Sequence, residues 1–336
     1  MKTDNPANDK RFPVLIISLS VLLVLLFFIS MCVGRYAIPI GDVAKFFTFQ
    51  EINATSARVI EYLRVPRTLM AILIGASLSV SGAIYQSAFN NKLVSPDLLG
   101  VTSGASVGAC LAILLGFSTA LISATAFVFG FMAVCLTVLL SIAFKNKNNV
   151  ILILCGLAVG GLMSSLVGLM KYLADNDLKL AEMTYWLLGD ISSTTIRDFW
   201  IMLPITVTGC LMAILLSWRL NIISLGAKES RTLGVNFKMN MALFIVIATA
   251  LTAVSVSFSG SIGWIGLVIP NTVRLIIGSN NKKVVPLSIL FGSLMMVVVD
   301  MFARSLAPNE IPLSIITGVL GTPLFLVSIF KKRREL

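Results

Sequence analysis

The sequence predicts an all-α, polytopic membrane protein with about ten transmembrane helices. Three observations carry this expectation. The 336-residue chain is 57% hydrophobic and only 12% charged, where soluble domains carry about 25% charged residues. Its apolar residues fall in runs of membrane-crossing length, roughly 20 residues each. Its Lys and Arg gather in the short segments between those runs, as topology signals do, rather than on one face as in a nucleic-acid-binding domain. The formal charge of +11 therefore points to a lipid bilayer and not to a nucleic-acid partner.

The apolar runs cover about 12–33, 66–89, 98–116, 119–144, 150–173, 198–218, 239–258, 262–278, 284–304 and 312–330. They form a single transmembrane domain over residues 1–336. The first run follows Lys10 and Arg11. It exceeds the 7–15 residues of a signal-peptide core, and no small-residue cleavage site follows, so it reads as a retained span. The second and third runs hold many small residues, among them Gly75, Ala76, Ser77, Ser79, Ser81, Gly82, Gly100, Gly104 and Gly108. Lipid-facing helices have no need of these. Helices that pack closely, or that line a polar path, do. A hydrophilic turn, Asn90–Asp97, joins the two.

The third and fourth runs are separated only around Gly116-Phe117-Ser118 and should form a close hairpin. The fifth carries Gly156, Gly160, Gly161, Ser164, Ser165 and Gly168. These residues suit either close packing or a translocation path. The eighth run is short and contains Pro270, Asn271 and Arg274 behind the glycine-rich Gly260–Gly266. A broken helix at membrane depth is tolerated where it is buried in protein or lines a cavity.

Orientation follows from the basic residues. With a cytoplasmic N-terminus, the inner segments hold Lys2, Lys10, Arg11, Lys92, Lys145, Lys147, Arg219, Lys228, Arg231, Lys238, Lys282, Lys283 and the run Lys331–Arg334. The outer segments hold only Arg35, Lys45, Arg58, Arg64, Arg67, Lys171, Lys179, Arg197 and Arg304. The excess places both termini inside. Two outer segments exceed a turn. Arg35–Leu63 should hold a short interfacial helix, and Ala174–Arg197 carries the interface-seeking Tyr185 and Trp186.

Charge within the membrane is costly and marks candidate sites. Asp300 and Arg304 lie four residues apart, on one helical face. They suit either a simple ion pair or, through Arg304 with Arg64 and Arg67, a basic outer rim that attracts an acidic partner. The inner segment 220–238 is too apolar for a solvated loop and too short and charged to span. Leu225, Ala227, Leu233 and Val235 could form the apolar side of one or two short helices, with Gly226 and Gly234 as breaks or caps. Such an element could lie on the membrane or dock in a groove of a partner protein.

The sequence excludes several chemistries. There is no histidine and no Gly-x-x-x-x-Gly-Lys-[Ser/Thr] phosphate loop, so this chain should not hydrolyse ATP by itself. Cys32, Cys110, Cys135, Cys155 and Cys210 lie in apolar runs without metal or redox spacing and read as small buried hydrophobes. No nucleophile–base pair, metal cluster or cofactor motif appears, so the chain reads as neither enzyme nor cofactor carrier. An ion-coupled carrier would usually need acids at mid-membrane. Asp300, near a span end, is the one clear case. That carrier remains the runner-up reading.

Several separated blocks, in order from about residue 14 to 332, resemble the permease subunits of binding-protein-dependent ABC importers for iron–siderophores, haem and cobalamin. They are Arg64-Val65-Pro66-Arg67 with Gly75-Ala76, Ser81-Gly82, Gln86, Asn90, Pro96, Leu99-Gly100 and Gly104-Ala105; Leu233-Gly234-Val235; Gly263–Pro270 with Arg274; and Asp300, Arg304, Glu310-Ile311-Pro312, Gly318 and Gly321–Phe325. The resemblance implies a ten-helix subunit of the bacterial inner membrane that pairs with a second, identical or homologous, permease. The pathway would lie at that homo- or heterodimer interface, lined largely by the fifth and tenth spans, with Gly160, Ser164, Ser165 and Gly168 as candidates.

By the same resemblance, Ser224, Leu225, Gly226, Ala227, Arg231, Leu233, Gly234 and Val235 would contact two separate ATPase subunits. Arg64, Arg67 and Arg304 would receive acidic residues of an extracytoplasmic substrate-binding protein. The expected cargo is a metal chelate, foremost a ferric siderophore, with haem, cobalamin or an oxyanion such as molybdate as alternatives. Two departures, Asn91-Lys92-Leu93-Val94 in place of Asn-Pro-Leu-Ala and Pro270-Asn271 in place of Pro-His, bear on cargo and leave the expected fold intact.

Overall fold

A computed structural model describes residues 6–144 and 149–333. Lys2, Lys145, Lys147 and Arg334, used above for orientation, lie outside the described residues, as do the side chains of Lys331, Lys332 and Arg333. All regular structure among the described residues is helical. In chain order the helices are α1 (Pro6–Cys32), α2 (Ile40–Phe47), α3 (Ala54–Arg58), α4 (Val65–Ala88), α5 (Val101–Leu114), α6 (Thr119–Ala143), α7 (Asn149–Tyr172) and α8 (Asp177–Leu188). They continue as α9 (Ile196–Leu215), α10 (Ser217–Ile223), α11 (Ala227–Thr232), α12 (Phe237–Ser259), α13 (Ile265–Ile277), α14 (Asn281–Ala303) and α15 (Leu313–Arg333). Seven are long and apolar enough to cross a membrane, and three shorter apolar helices, α5, α13 and α15, join them.

The bundle is built around α4. All of its residues are buried except Val65, Leu69 and Ile72. It packs on α14, α12, α13 and α9. The small residues explain how so many helices reach one another. A Cβ added to Gly75 would run into the backbone of Gly292 on α14, and one on Gly82 into the backbone of Gly266 on α13. Backbone meets backbone at both crossings, the close approach that small residues permit. Hydroxyls bridge α4 to its other neighbours, Ser77 with Thr206 of α9 (3.0 Å), and Ser81 with Thr252 (2.6 Å) and Tyr85 with Thr249 (2.9 Å) of α12. Gly104 and Gly108 do likewise for α5 against α6.

Several expectations needed correction. The second apolar run, 66–89, coincides with α4, but helical structure does not start there. A π-helical stretch, Val59–Arg64, joins α3 to α4, so helix runs on from Ala54 through a segment expected to lie outside the span. Pro66 explains the irregularity, since its ring cannot accept a regular α-turn before it and the wider turn relieves the clash. The segment 174–197 holds a proper helix, α8, capped by the Asn176 side chain accepting from the Lys179 N–H at 2.8 Å. The eighth span has only 13 helical residues, preceded by a stretch that includes Gly260 at φ 66° and Trp264 at φ 71°. Cys135 is exposed, unlike the buried Cys110, Cys155 and Cys210. The interfacial helix expected within 35–63 is α2, whose Phe46 and Phe47 pack with Phe27 and Phe28 of α1.

Candidate functional site

The buried arginines of the bundle gather at the two ends of α4. At its N-terminal end, Arg64 and Arg67 come together with Arg304, which follows α14. The second and ninth spans are indeed neighbours. The exposed rim expected from the sequence is not what forms, because the three arginines are only 4%, 6% and 6% exposed. Long aliphatic stems and close helix packing draw them inward. Arg67 Nε lies 2.5 Å from Asp300 Oδ1 and its Nη1 lies 2.7 Å from Glu310 Oε2. Asp300 therefore has Arg67 as its nearest partner. The Arg304 Nε expected to pair with it stands at 3.5 Å from Oδ2. Arg304 instead donates to the Ser30 carbonyl and hydroxyl. Arg64 donates to the carbonyls of Met31 and Tyr36. A cavity of about 250 Å³ opens here, lined by Arg35, Arg64, Arg67, Arg304, Ser192 and Glu310, among others.

At the C-terminal end of α4, Arg274 from α13 is also buried, yet its partners are neutral. Its guanidinium donates to Gln86 Oε1, to Ser87 Oγ (3.0 Å) and to the Ala83 carbonyl (3.2 Å). Asn271 donates to the Lys92 and Leu267 carbonyls at 2.8 and 2.9 Å. The Asn90–Asp97 turn is thereby tied to the Pro270 region of α13.

The segment 220–238 folds as two short helices, α10 and α11. Ser224 caps α10 and Gly226 precedes α11 at φ 104°. Gly234, at φ 74°, follows α11. Left-handed backbone of this kind favours glycine. The expected apolar side is split. Val235 and Ser230 turn inward, while Leu225, Ala227, Arg231 and Leu233 are exposed. The hydroxyl of Ser230 donates to the Ile222 and Gly226 carbonyls (3.1 and 2.6 Å), fixing α11 on α10.

The candidates on α7 divide. A Cβ on Gly156 would strike the Leu98 carbonyl, so this glycine serves close packing. Gly161 and Gly168 face open space, and Ser164 and Ser165 are exposed. Gly160 sits beside Ser103. Ser164 also lines a cavity of about 210 Å³ with Thr102, Ser103, Ser106 and Ser261. The open face of α7 is thus unpacked in the single chain and mixes these small residues with exposed Leu154, Leu157, Leu162 and Leu169.

Sequence reading missed how Glu310 and the Gln86–Ser87 pair act. Glu310 and Gln86 lay in the blocks that carry the resemblance and Ser87 did not, and nothing local reveals partners 243 and 188 residues away.

A helical bundle with seven helices long and apolar enough to cross a membrane defines a polytopic membrane protein. The chain belongs to the FecCD transport family, whose family model matches residues 22–331. It is 37% identical over 328 residues to the molybdate import system permease protein MolB of Haemophilus influenzae, covering 96% of this chain and 97% of that one. A probable iron chelatin transport system permease protein of Helicobacter pylori is 37% identical over 84% of this chain and 86% of its own length. The vitamin B12 import system permease protein BtuC of Citrobacter koseri is 33% identical, covering 94% of each chain. Among solved structures, an inward-facing one described as of the metal-chelate ABC-transporter type superposes with a TM-score of 0.86 at 37% identity, covering 95% of this chain and 99% of that one. The protein is a multi-pass ABC-transporter permease.

Proposed function

We propose that this chain is the permease subunit of a binding-protein-dependent importer of the bacterial inner membrane. It has ten crossings, both termini are cytoplasmic, and it carries a metal chelate or compact oxyanion inward. The full-length similarity to importer permeases carries this reading. A loaded extracytoplasmic binding protein docks at the N-terminal end of α4. Because the arginines are recessed, an acidic side chain of that protein enters the cavity rather than meeting a flat rim. Arg64 suits this role, since its guanidinium donates to the Met31 and Tyr36 carbonyls and to no carboxylate among the described residues.

Two ATPase subunits engage α10–α11, where exposed Leu225 and Leu233 offer apolar anchors beside Arg231. A second permease, the same chain or a homologue, covers the open face of α7. The pathway then runs between the two copies past Gly160, Ser164, Ser165 and Gly168. ATP binding moves α10–α11 and opens the interface alternately to each side. The permease itself makes and breaks no covalent bond.

For cargo, the sequence motifs suggest a ferric siderophore. The nearly end-to-end match to a molybdate permease supports an oxyanion as a second reading. Uptake into liposomes by the complete complex, with ferric siderophore, haem, cobalamin and molybdate as competing cargoes, separates these. ATP-dependent accumulation of one cargo is expected. Accumulation driven by an ion gradient without ATP would overturn the importer reading in favour of a secondary carrier.

A further inference from the structure

The polar side chains at the C-terminal end of α4 form one continuous chain of hydrogen bonds. The chain begins on α10, where Asn221 grips the turn between α13 and α14 with both ends of its amide. Its Nδ2 donates to Asn280 Oδ1 at 2.9 Å, and its Oδ1 accepts from the Asn281 backbone N–H at 2.7 Å. Asn281 Oδ1 accepts from Ser87 Oγ at 2.8 Å. Ser87 Oγ in turn accepts from Arg274 at 3.0 Å. Arg274 holds Gln86, whose Nε2 donates to the Leu267 carbonyl on the first half of α13 at 3.1 Å. Four of these side chains, Gln86, Ser87, Arg274 and Asn281, are buried.

The arrangement links two short helical elements, the α10–α11 pair and α13. On one side stands the α10–α11 pair, fixed internally by Ser230. On the other stands α13, a short rod with a break at each end. Gly278 ends it at φ 90°, and Trp264 starts it at φ 71°, a position that a side-chain-bearing residue seldom adopts. Trp264 leans on α15, where Gly321 leaves room for it: a Cβ there would lie 2.7 Å from the Trp264 Cβ. The Trp264 ring also meets Phe325 edge-on at 6.3 Å. A short rod with a backbone break at each end is positioned by the contacts along its length. Here the grip consists of directional hydrogen bonds within a buried site, where losing one partner strands the next.

We propose that Asn221 is a positioning residue for transport: through Asn281, Ser87 and Arg274 it passes displacement of α10–α11 to α13. The proposal rests on the reading of α10–α11 as the ATPase-facing element. It adds the route by which movement there reaches the membrane interior.

The test uses the complete transporter in liposomes, comparing ATP hydrolysed per cargo molecule taken up. Asn221→Ala and Ser87→Ala should each raise that ratio about fivefold, with the ATPase still co-purifying. The double variant should be no worse than the poorer single, because both cut the same chain. Asn221→Asp, which keeps the acceptor for the Asn281 N–H, should recover part of the coupling. An unchanged ratio in both single variants, or additive losses in the double, would overturn the relay. If Asn221→Ala fails to assemble, Ser87→Ala and Asn221→Asp decide the matter alone. Docking is tested separately by Leu225→Asp with Leu233→Asp. Continued co-purification of the ATPase with that variant would sink the α10–α11 reading, and the relay with it. Lost co-purification together with an unchanged ratio in Asn221→Ala and Ser87→Ala would sink the relay only.

Discussion

The two ends of α4 bury arginine in opposite ways. At the N-terminal end Arg67 faces two carboxylates, Asp300 and Glu310, beside a cavity. At the C-terminal end Arg274 is held by an amide, a hydroxyl and a carbonyl. Ion pairs are tolerant of angle and act over distance, so a cluster of them can admit one more charge from outside. Hydrogen bonds to neutral acceptors are short-ranged and directional. On the proposed reading, one end recognises a charged surface and the other holds a geometry.

The comparison assumes that a rigid α4 joins the two ends, and the largest effect should come from breaking it between them. Gly82→Val drives a branched side chain into the Gly266 backbone. It should cost more than about 3 kcal/mol, read as a collapse of thermal stability in detergent. Gly161→Ala, with open space around it, should change stability by less than about 0.5 kcal/mol.

Next in size is the charged end. Asp300→Ala takes the nearer carboxylate from Arg67, which keeps Glu310, and should destabilise by about 3 kcal/mol. Replacing Arg67 and Asp300 together by Met and Leu should restore most of that. If the double variant is no more stable than the single in thermal unfolding, the pair is not the unit described here.

Smaller again, Arg274→Met leaves Gln86 and Ser87 without their donor and should cost about 1–3 kcal/mol. Its effect on uptake should not depend on salt, whereas binding-protein association at the other end should slow as ionic strength rises. Equal salt dependence at both ends, measured by association kinetics and by uptake, would erase the contrast. The smallest effect on stability is expected from Ser164→Val on the open face of α7, within about 0.5 kcal/mol. Its effect should appear in the uptake rate instead.

Much of this was legible in the sequence. The small residues of 66–108 announced close crossings, and Gly75 and Gly82 turn out to be the points of backbone contact. Gly226 and Gly234 marked the breaks around α11, and Pro270 with the preceding glycines marked the short α13. What stayed hidden was pairing. Asp300 and Arg304, four apart, looked like partners, yet the nearer cation comes from Arg67, 233 residues away. The exposed apolar side expected for Leu225, Ala227, Leu233 and Val235 was split because Val235 folds inward after Gly234. The Val59–Arg64 π-turn was missed because the Pro66 penalty can be met by a loop or by a wider helix, and local sequence does not choose.

The sequence by itself determined the apolar helices, their approximate ends, and which of them could approach closely, because these depend on hydropathy, length and side-chain size along one segment at a time. Only the tertiary structure decided which buried charge meets which acid, that the three arginines are recessed and not displayed, and that Asn221 reaches α13 through α4. Those outcomes depend on the relative placement of helices far apart in the chain. In a low-dielectric interior a polar group settles on whichever partner the packing brings within hydrogen-bond reach, whatever its distance in sequence.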